Sequence, residues 1–147
     1  MYIFKKYKLQ LVKESSIEYD LNGNITDPKD IELIARQVIE LDKNAEEVLY
    51  IMALDVKNKV IGLMEVSRGT VDSVIASPRD ICKRLLLTNA VRYIVLNNRV
   101  SGDIQPDKDD IQICNKLAKA GEIIGIELID FCILGDGLYS FKEHGLV

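Results

Sequence analysis

The sequence predicts an α+β domain, a mixed β-sheet with helices packed against it. Three observations point there. The 147 residues are 48% hydrophobic and 29% charged, enough apolar material for one core and too little chain for two. Only 3 of them are proline, so neither disorder nor a fibrous repeat fits. Apolar runs with strand character then alternate with segments of helical spacing in the order β-α-β-β-β-α-β-α-β-β, which a mixed sheet with flanking helices satisfies. The whole of 1–147 reads as one domain, with an N-terminal strand and helix in residues 1–45 and the core in 46–147.

MYIFKKYKLQLVKE alternates lysines with apolar side chains and reads as an edge strand whose Lys5, Lys6, Lys8 and Lys13 resist pairing with other chains. A phosphate-binding arm is the sharper alternative. In DLNGNITDPKD, Thr26 or Asp27 caps a helix that has Pro28 at its first position. Ile31, Ile34, Ala35, Val38 and Ile39 form its inner stripe as far as about Leu41. EEVLYIMALD is a buried strand, VKNK a turn and VIGLMEVS the antiparallel partner. Glu65, between Met64 and Val66, faces solvent by the period-two rule alone. RGTVDSVIA supplies a turn and a short strand, and Ser77 and Pro78 start a helix buried through Ile81, Cys82, Leu85 and Leu86. VRYIVLN is the next strand, and NRVSGDIQPDKDD has no hydrophobic pattern and forms a loop. Asp107 and Asp110 then have capping-box spacing for a helix with Ile111, Cys114, Leu117, Ala118 and Gly121 inward. IGIELIDFCIL, a Gly-Asp-Gly turn and LYSF close the sheet as a hairpin.

Composition also narrows function. With 19 Lys and Arg against 23 Asp and Glu, the net charge of −4 lacks the basic footprint of a nucleic-acid binder, so any such contact would be local. There is one histidine, His144, which argues against zinc and triad chemistry. Cys82, Cys114 and Cys132 fit neither a metal knuckle nor a disulfide framework and read as reduced core thiols of a cytoplasmic protein. The longest apolar run, Val48–Leu54, falls far short of a membrane span, and the N-terminus lacks a signal segment. No membrane partner is expected.

The segments SRGTVDSVIASPRDICKRLLLTNA, SGDIQPDKDD and GIELIDFCILGDGLYSFKEHGLV resemble the RadC-like branch of the JAB/MPN metallopeptidase-like domains, from about residue 45 to 147. The resemblance implies a JAB/MPN fold of the cytidine-deaminase-like type, in a short form without the N-terminal helix-hairpin-helix module. In intact members the loop after the third core strand reads His-x-His-Pro-Ser-Gly-Asp, followed by a Ser and an Asp. The two histidines and that Asp bind zinc, and a Glu from an earlier strand acts on the metal-bound water. Here Asn97 and Arg99 stand at the histidine positions, Ser101, Gly102 and Asp103 keep the family loop, and Asp107 stands at the serine. Asp110 matches the acidic ligand and Glu65 the water-activating glutamate.

Catalytic zinc takes three protein ligands and a water, and a permanently charged guanidinium cannot be one of them. Asp107 would also set a negative charge where the peptidase oxyanion develops. These departures predict a zinc-free, catalytically inactive homologue with no cofactor, which binds a protein or nucleic-acid partner or a second copy of itself. A hydrolase with an altered centre is the alternative, as is the DNA-repair role with which the family is labelled. At the relic site, Arg99 is expected either to enter the metal pocket and pair with Asp110 and Glu65 or to lie in solvent. Asp103, Asp107, Asp109 and Asp110 lack the spacing of a calcium loop and read as an acidic helix start. Ser101 has no histidine to activate it and reads as a turn serine.

Overall fold

A computed structural model describes residues 1–69 and 77–147. The elements run α1 (Pro28–Leu33), continued by a π turn (Ile34–Val38) and a 3-10 turn (Leu41–Lys43), then β1 (Glu47–Leu54) and β2 (Val60–Gly69). They continue with α2 (Pro78–Thr88), β3 (Arg92–Asn98), α3 (Lys108–Ile124), β4 (Glu127–Gly135) and β5 (Gly137–Ser140). The five strands form one mixed sheet in the order β2-β1-β3-β4-β5, with β3 and β4 parallel and the other neighbours antiparallel.

The sheet lies between two apolar layers, which the strands supply by pointing alternate side chains to opposite faces. Leu49, Ile51, Ala53, Tyr93 and Val95 meet Ile81 and Leu85 of α2 and Cys114 and Leu117 of α3. Val48, Met52, Leu54, Ile94 and Leu96 meet Ile31, Ile34, Ala35 and Leu41 on the other side. β1 is buried on both faces from Ile51 to Leu54, as expected of a continuous apolar run at the centre of a sheet. The β1–β2 turn is held by the Asp55 carboxylate, which accepts from the amides of Lys57 at 2.8 Å and Lys59 at 2.9 Å.

Several expectations change. Residues 1–19 carry no helix or strand, and the predicted edge strand is absent because its backbone meets no neighbouring ladder. The first helix is not continuous to Leu41: after Leu33 it widens, Ile39 donates to the Ile34 carbonyl, and the left-handed backbone of Glu40 (φ 54°) ends it. β2 continues through Arg68 and Gly69, so no turn begins at Arg68, whose backbone pairs with Val48. β3 likewise takes in Asn98, paired with Leu134. The short strand read in TVDSVIA lies outside the described residues. Pro28 and Pro78 do open α1 and α2, and Asp27 caps α1 in a capping box with Asp30. Ser77, by contrast, makes no capping hydrogen bond with its side chain.

Candidate functional site

The sheet and the start of α3 bring five polar side chains, Glu47, Asn97, Arg99, Asp107 and Asp110, to one end of the face that α2 and α3 cover. In the antiparallel β1–β3 pair, Leu49 lies opposite Asn97, so Glu47, two residues earlier, lies opposite position 99. Leu49 belongs to the layer under α2 and α3, and by the same alternation Glu47 and Asn97 share its face. α3 begins above them. Asp107 is its N-cap and accepts from the Asp110 amide at 2.8 Å, while Asp110 accepts from the Asp107 amide at 2.8 Å, the reciprocal capping box that the spacing predicts.

Arg99 leaves the end of β3 and turns into this corner. Its Nη2 donates to Asp110 Oδ2, and its Nη1 lies 3.8 Å from Glu47 Oε2. The three side chains are 14%, 8% and 14% exposed for Arg99, Asp110 and Glu47, so they form one largely buried network. Burial pushes the Glu47 carboxyl above its ordinary range, against the pull of Arg99. Burial also raises Asp110, opposed by hydrogen bonds from Arg99 and the Asp107 amide. Asp107 is lowered, chiefly by the Asp110 amide. For Arg99, burial works against the charge, but the bond to Asp110 and the two carboxylates outweigh it and raise its pKa. One cation thus faces three carboxyl groups and stays protonated.

The loop that delivers Arg99 is fixed by close backbone contacts. The Arg99 amide donates to the Leu134 carbonyl at 2.8 Å, and the Gly102 carbonyl accepts from the Asp136 amide at 2.9 Å. Gly102 has φ +87°, and a Cβ there would sit 2.7 Å from the Asp136 carboxylate; one on Gly135 would sit 2.6 Å from the Gly102 carbonyl oxygen. Ser101 accepts from the Asp103 amide and Asp103 from the Gln105 amide, so both serve local turns. Neither reaches Arg99.

Glu65 is not in this corner. Met64 and Val66 pack on the layer under α2 and α3, so Glu65 between them points to the opposite face, where it bonds Arg68 Nη2 at 2.6 Å. The carboxylate that meets Arg99 beside Asp110 is Glu47, which the sequence reading did not single out. Asn98 was missed as well: buried, it accepts from the Val48 amide at 2.6 Å and donates to the Glu46 carbonyl at 2.9 Å, clamping β1 beside Glu47. Only its place between the two histidine positions marked it. Asn97 is buried, and its Oδ1 has no hydrogen-bond partner among the described residues. His144 is remote, 2.8 Å from the Ser140 carbonyl oxygen and stacked on Tyr139.

The zinc implied by the resemblance does not fit these side chains. Position 97 offers a neutral amide and position 99 a cation, and the acidic ligand Asp110 is engaged by that cation. Among the described residues, no group of three or more His, Cys, Asp and Glu side chains is arranged to hold a metal. None of the described helices is long and apolar enough to cross a membrane.

Comparison with known proteins agrees with this architecture. A family model described as the RadC-like JAB domain matches residues 25–146, so the similarity reaches back through α1. A UPF0758 protein of Clostridioides difficile is 43% identical over 103 residues, covering 69% of this chain and 44% of that protein. UPF0758 proteins of Clostridium tetani and Clostridium acetobutylicum are 36% and 37% identical, over 95% and 99% of this chain and 61% and 60% of theirs. The chain therefore spans between 44% and 61% of the length of these relatives. With the family model matched from Ile25 to Leu146 on this mixed sheet and helix arrangement, the chain belongs to the RadC-like JAB domain family.

Proposed function

We propose that this chain is a non-hydrolytic RadC-like JAB domain, in which a guanidinium takes the place of the family's zinc and the fold serves to bind a partner. The observation that carries this reading is the position of Arg99, donating to Asp110 with Glu47 beside it. A cation held there supplies the counter-charge for two buried carboxylates without generating a nucleophile, since arginine neither coordinates water nor gives up its proton at neutral pH. Asn97 and Arg99 at the histidine positions and Asp107 at the serine position support the same conclusion. Glu65, read from the sequence as the water-activating glutamate, bonds Arg68 on the opposite face, and the carboxylate beside Arg99 is that of Glu47. The net charge of −4 gives the family's DNA-repair label no physical support in this domain. Three thiols without disulfides suit the reducing cytoplasm.

Elemental analysis of protein purified without chelator, beside the double variant Asn97→His/Arg99→His, tests the proposal. The unmodified chain should carry far less than one zinc per molecule, and the double variant should approach one. Stoichiometric zinc in the unmodified protein, or a hydrolase activity that a chelator abolishes, would sink it.

A further inference from the structure

A cavity of about 330 Å³ lies between the entry to α1 and the sheet, with Ile25 and Ile31 on the α1 side and Ile94 of β3 and Ile129 of β4 on the sheet side. That volume is at the small end of those that hold small molecules. The cavity belongs to the face that α1 covers and reaches the sheet near the start of β3, whereas Arg99 follows the end of β3 on the opposite face. Nothing in it depends on how the Arg99 corner is read.

An irregularity in the ladder turns a carboxylate into this cavity. Tyr93 pairs with Leu128 but Ile94 pairs with Asp130, so Ile129 is an extra residue in β4. Without it Asp130 would share the face of Leu128, under α2 and α3; with it Asp130 lies beside Ile94 on the α1 face and lines the cavity. Asp130 is 2% exposed. Its Oδ1 accepts from the amides of Phe131 at 2.8 Å and Lys142 at 3.1 Å, and its Oδ2 accepts from the Ser140 hydroxyl at 2.6 Å, which leaves Oδ2 the less engaged oxygen. The charge itself has no counter-ion, for Asp130 takes part in no ion pair among the described residues. Asp110, buried to a similar degree, has Arg99. Buried charges are ordinarily paired, because leaving one alone is costly. At the rim, Asp27 and Glu143 outnumber the one cation, Lys142.

We propose that this cavity binds a small aliphatic ammonium, whose head pairs with Asp130 Oδ2 and whose hydrocarbon body lies against Ile25, Ile31, Ile94 and Ile129. The ligand supplies the counter-ion that the fold omits. A divalent metal is a poor occupant, since it needs several oxygen ligands and the walls are isoleucine. Anions are repelled by the same carboxylates.

Titration of the full chain with 3-methylbutylamine at pH 7, followed through backbone amide shifts, tests this beside 3-methylbutanol and 4-methylpentanoate. The amine should saturate with a Kd below about 5 mM, shifting the amides around Ile25, Ile129 and Ser140, and should bind at least about tenfold tighter than the alcohol or the carboxylate. Asp130→Asn should abolish that preference while the alcohol still binds, and Ile129→Trp, on the wall, should close the cavity to both. Nα-acetyl-lysine methylamide, titrated in the same way, distinguishes a free amine from a lysine side chain of a partner, and binding of either supports the assignment. The proposal is overturned if the amine fails to saturate by about 50 mM, if the alcohol or the carboxylate binds equally well, or if Asp130→Asn keeps the preference. Should Asp130→Asn not fold, the three probes on the unmodified chain and on Ile129→Trp decide the same question.

Discussion

Replacing Arg99 by alanine tests whether the guanidinium is the charge that holds this corner together. The change leaves Asp110 and Glu47, at 8% and 14% exposure, without their counter-ion. Breaking a buried pair from one side costs about 3–5 kcal/mol. The lower end, about 3 kcal/mol, applies at pH 7, because the network keeps some contact with water and the Asp107 amide still bonds Asp110. A second bound comes from titration. A stranded carboxylate can always take up a proton, and with reference pKa values of about 3.9 and 4.3 this costs at most about 4 kcal/mol per group at pH 7. At pH 5 the same limit falls to about 1–1.5 kcal/mol per group. With both carboxyls able to protonate, the penalty of Arg99→Ala is bounded at about 2.5 kcal/mol at pH 5 and should be smaller there than at pH 7. Urea unfolding followed by circular dichroism at both pH values measures it, and at neutral pH Tm should drop by about 6–12 °C. A penalty within about 0.5 kcal/mol at pH 7 would mean that Arg99 is solvated, and a large penalty independent of pH would refute the electrostatic reasoning.

Other outcomes follow from the same network and the core around it. Burial raises the folded-state pKa of Glu47, so the folded protein binds more protons than the unfolded chain above about pH 4.3; the resulting stability is complete below that value and lost as pH rises. Glu47→Gln removes this dependence, so its stability relative to the unmodified protein should fall from pH 7 to pH 5; the opposite slope in urea titrations would show Glu47 to be ionised and favourably paired. Asp107, lowered by the Asp110 amide, works the other way, and its contribution should fade as pH drops below about 4. Asn98→Ala strips partners from the Val48 amide and the Glu46 carbonyl and should cost about 1–3 kcal/mol, with amide exchange accelerating first at the start of β1. Burial raises all three thiols, Cys114 to about 11. With Cys114 and Cys132 buried, an aromatic disulfide reagent at pH 8 should modify only Cys82 in the folded protein and all three in urea. Rapid folded-state modification of Cys114 or Cys132 would contradict the packing.

Much of the fold was legible because period and punctuation are local. The capping boxes at Asp27 and Asp107, the prolines at 28 and 78 and the apolar run through β1 all mark elements without reference to distant residues. What failed was non-local. Alternation in residues 1–13 makes a strand only if some edge accepts it, and among the described residues no strand lies beside them. The widened turn after Leu33 depends on packing Ile34, Ala35 and Leu41 together on the sheet, which no pattern of α-helical spacing anticipates.

The site shows the same division. The pairing of Arg99 with Asp110 could be expected from two charged residues at aligned positions, whereas the second carboxylate could not. Glu65 and Glu47 both lie on strands of one hairpin, and which of them meets Arg99 is decided by the face each side chain takes. Glu47 shares the face of Leu49, and Glu65 lies between Met64 and Val66, which occupy that face themselves. With Glu47 rather than Glu65 as the second anion, the guanidinium bridges the start of β1 to the start of α3. Arg99→His alone would remove that bridge while adding one ligand beside Asn97 and Asp110, too few for a stable zinc site. Zinc and structural order are thus expected to return together only when Asn97 is changed as well, and this separates a lost ligand set from a lost scaffold.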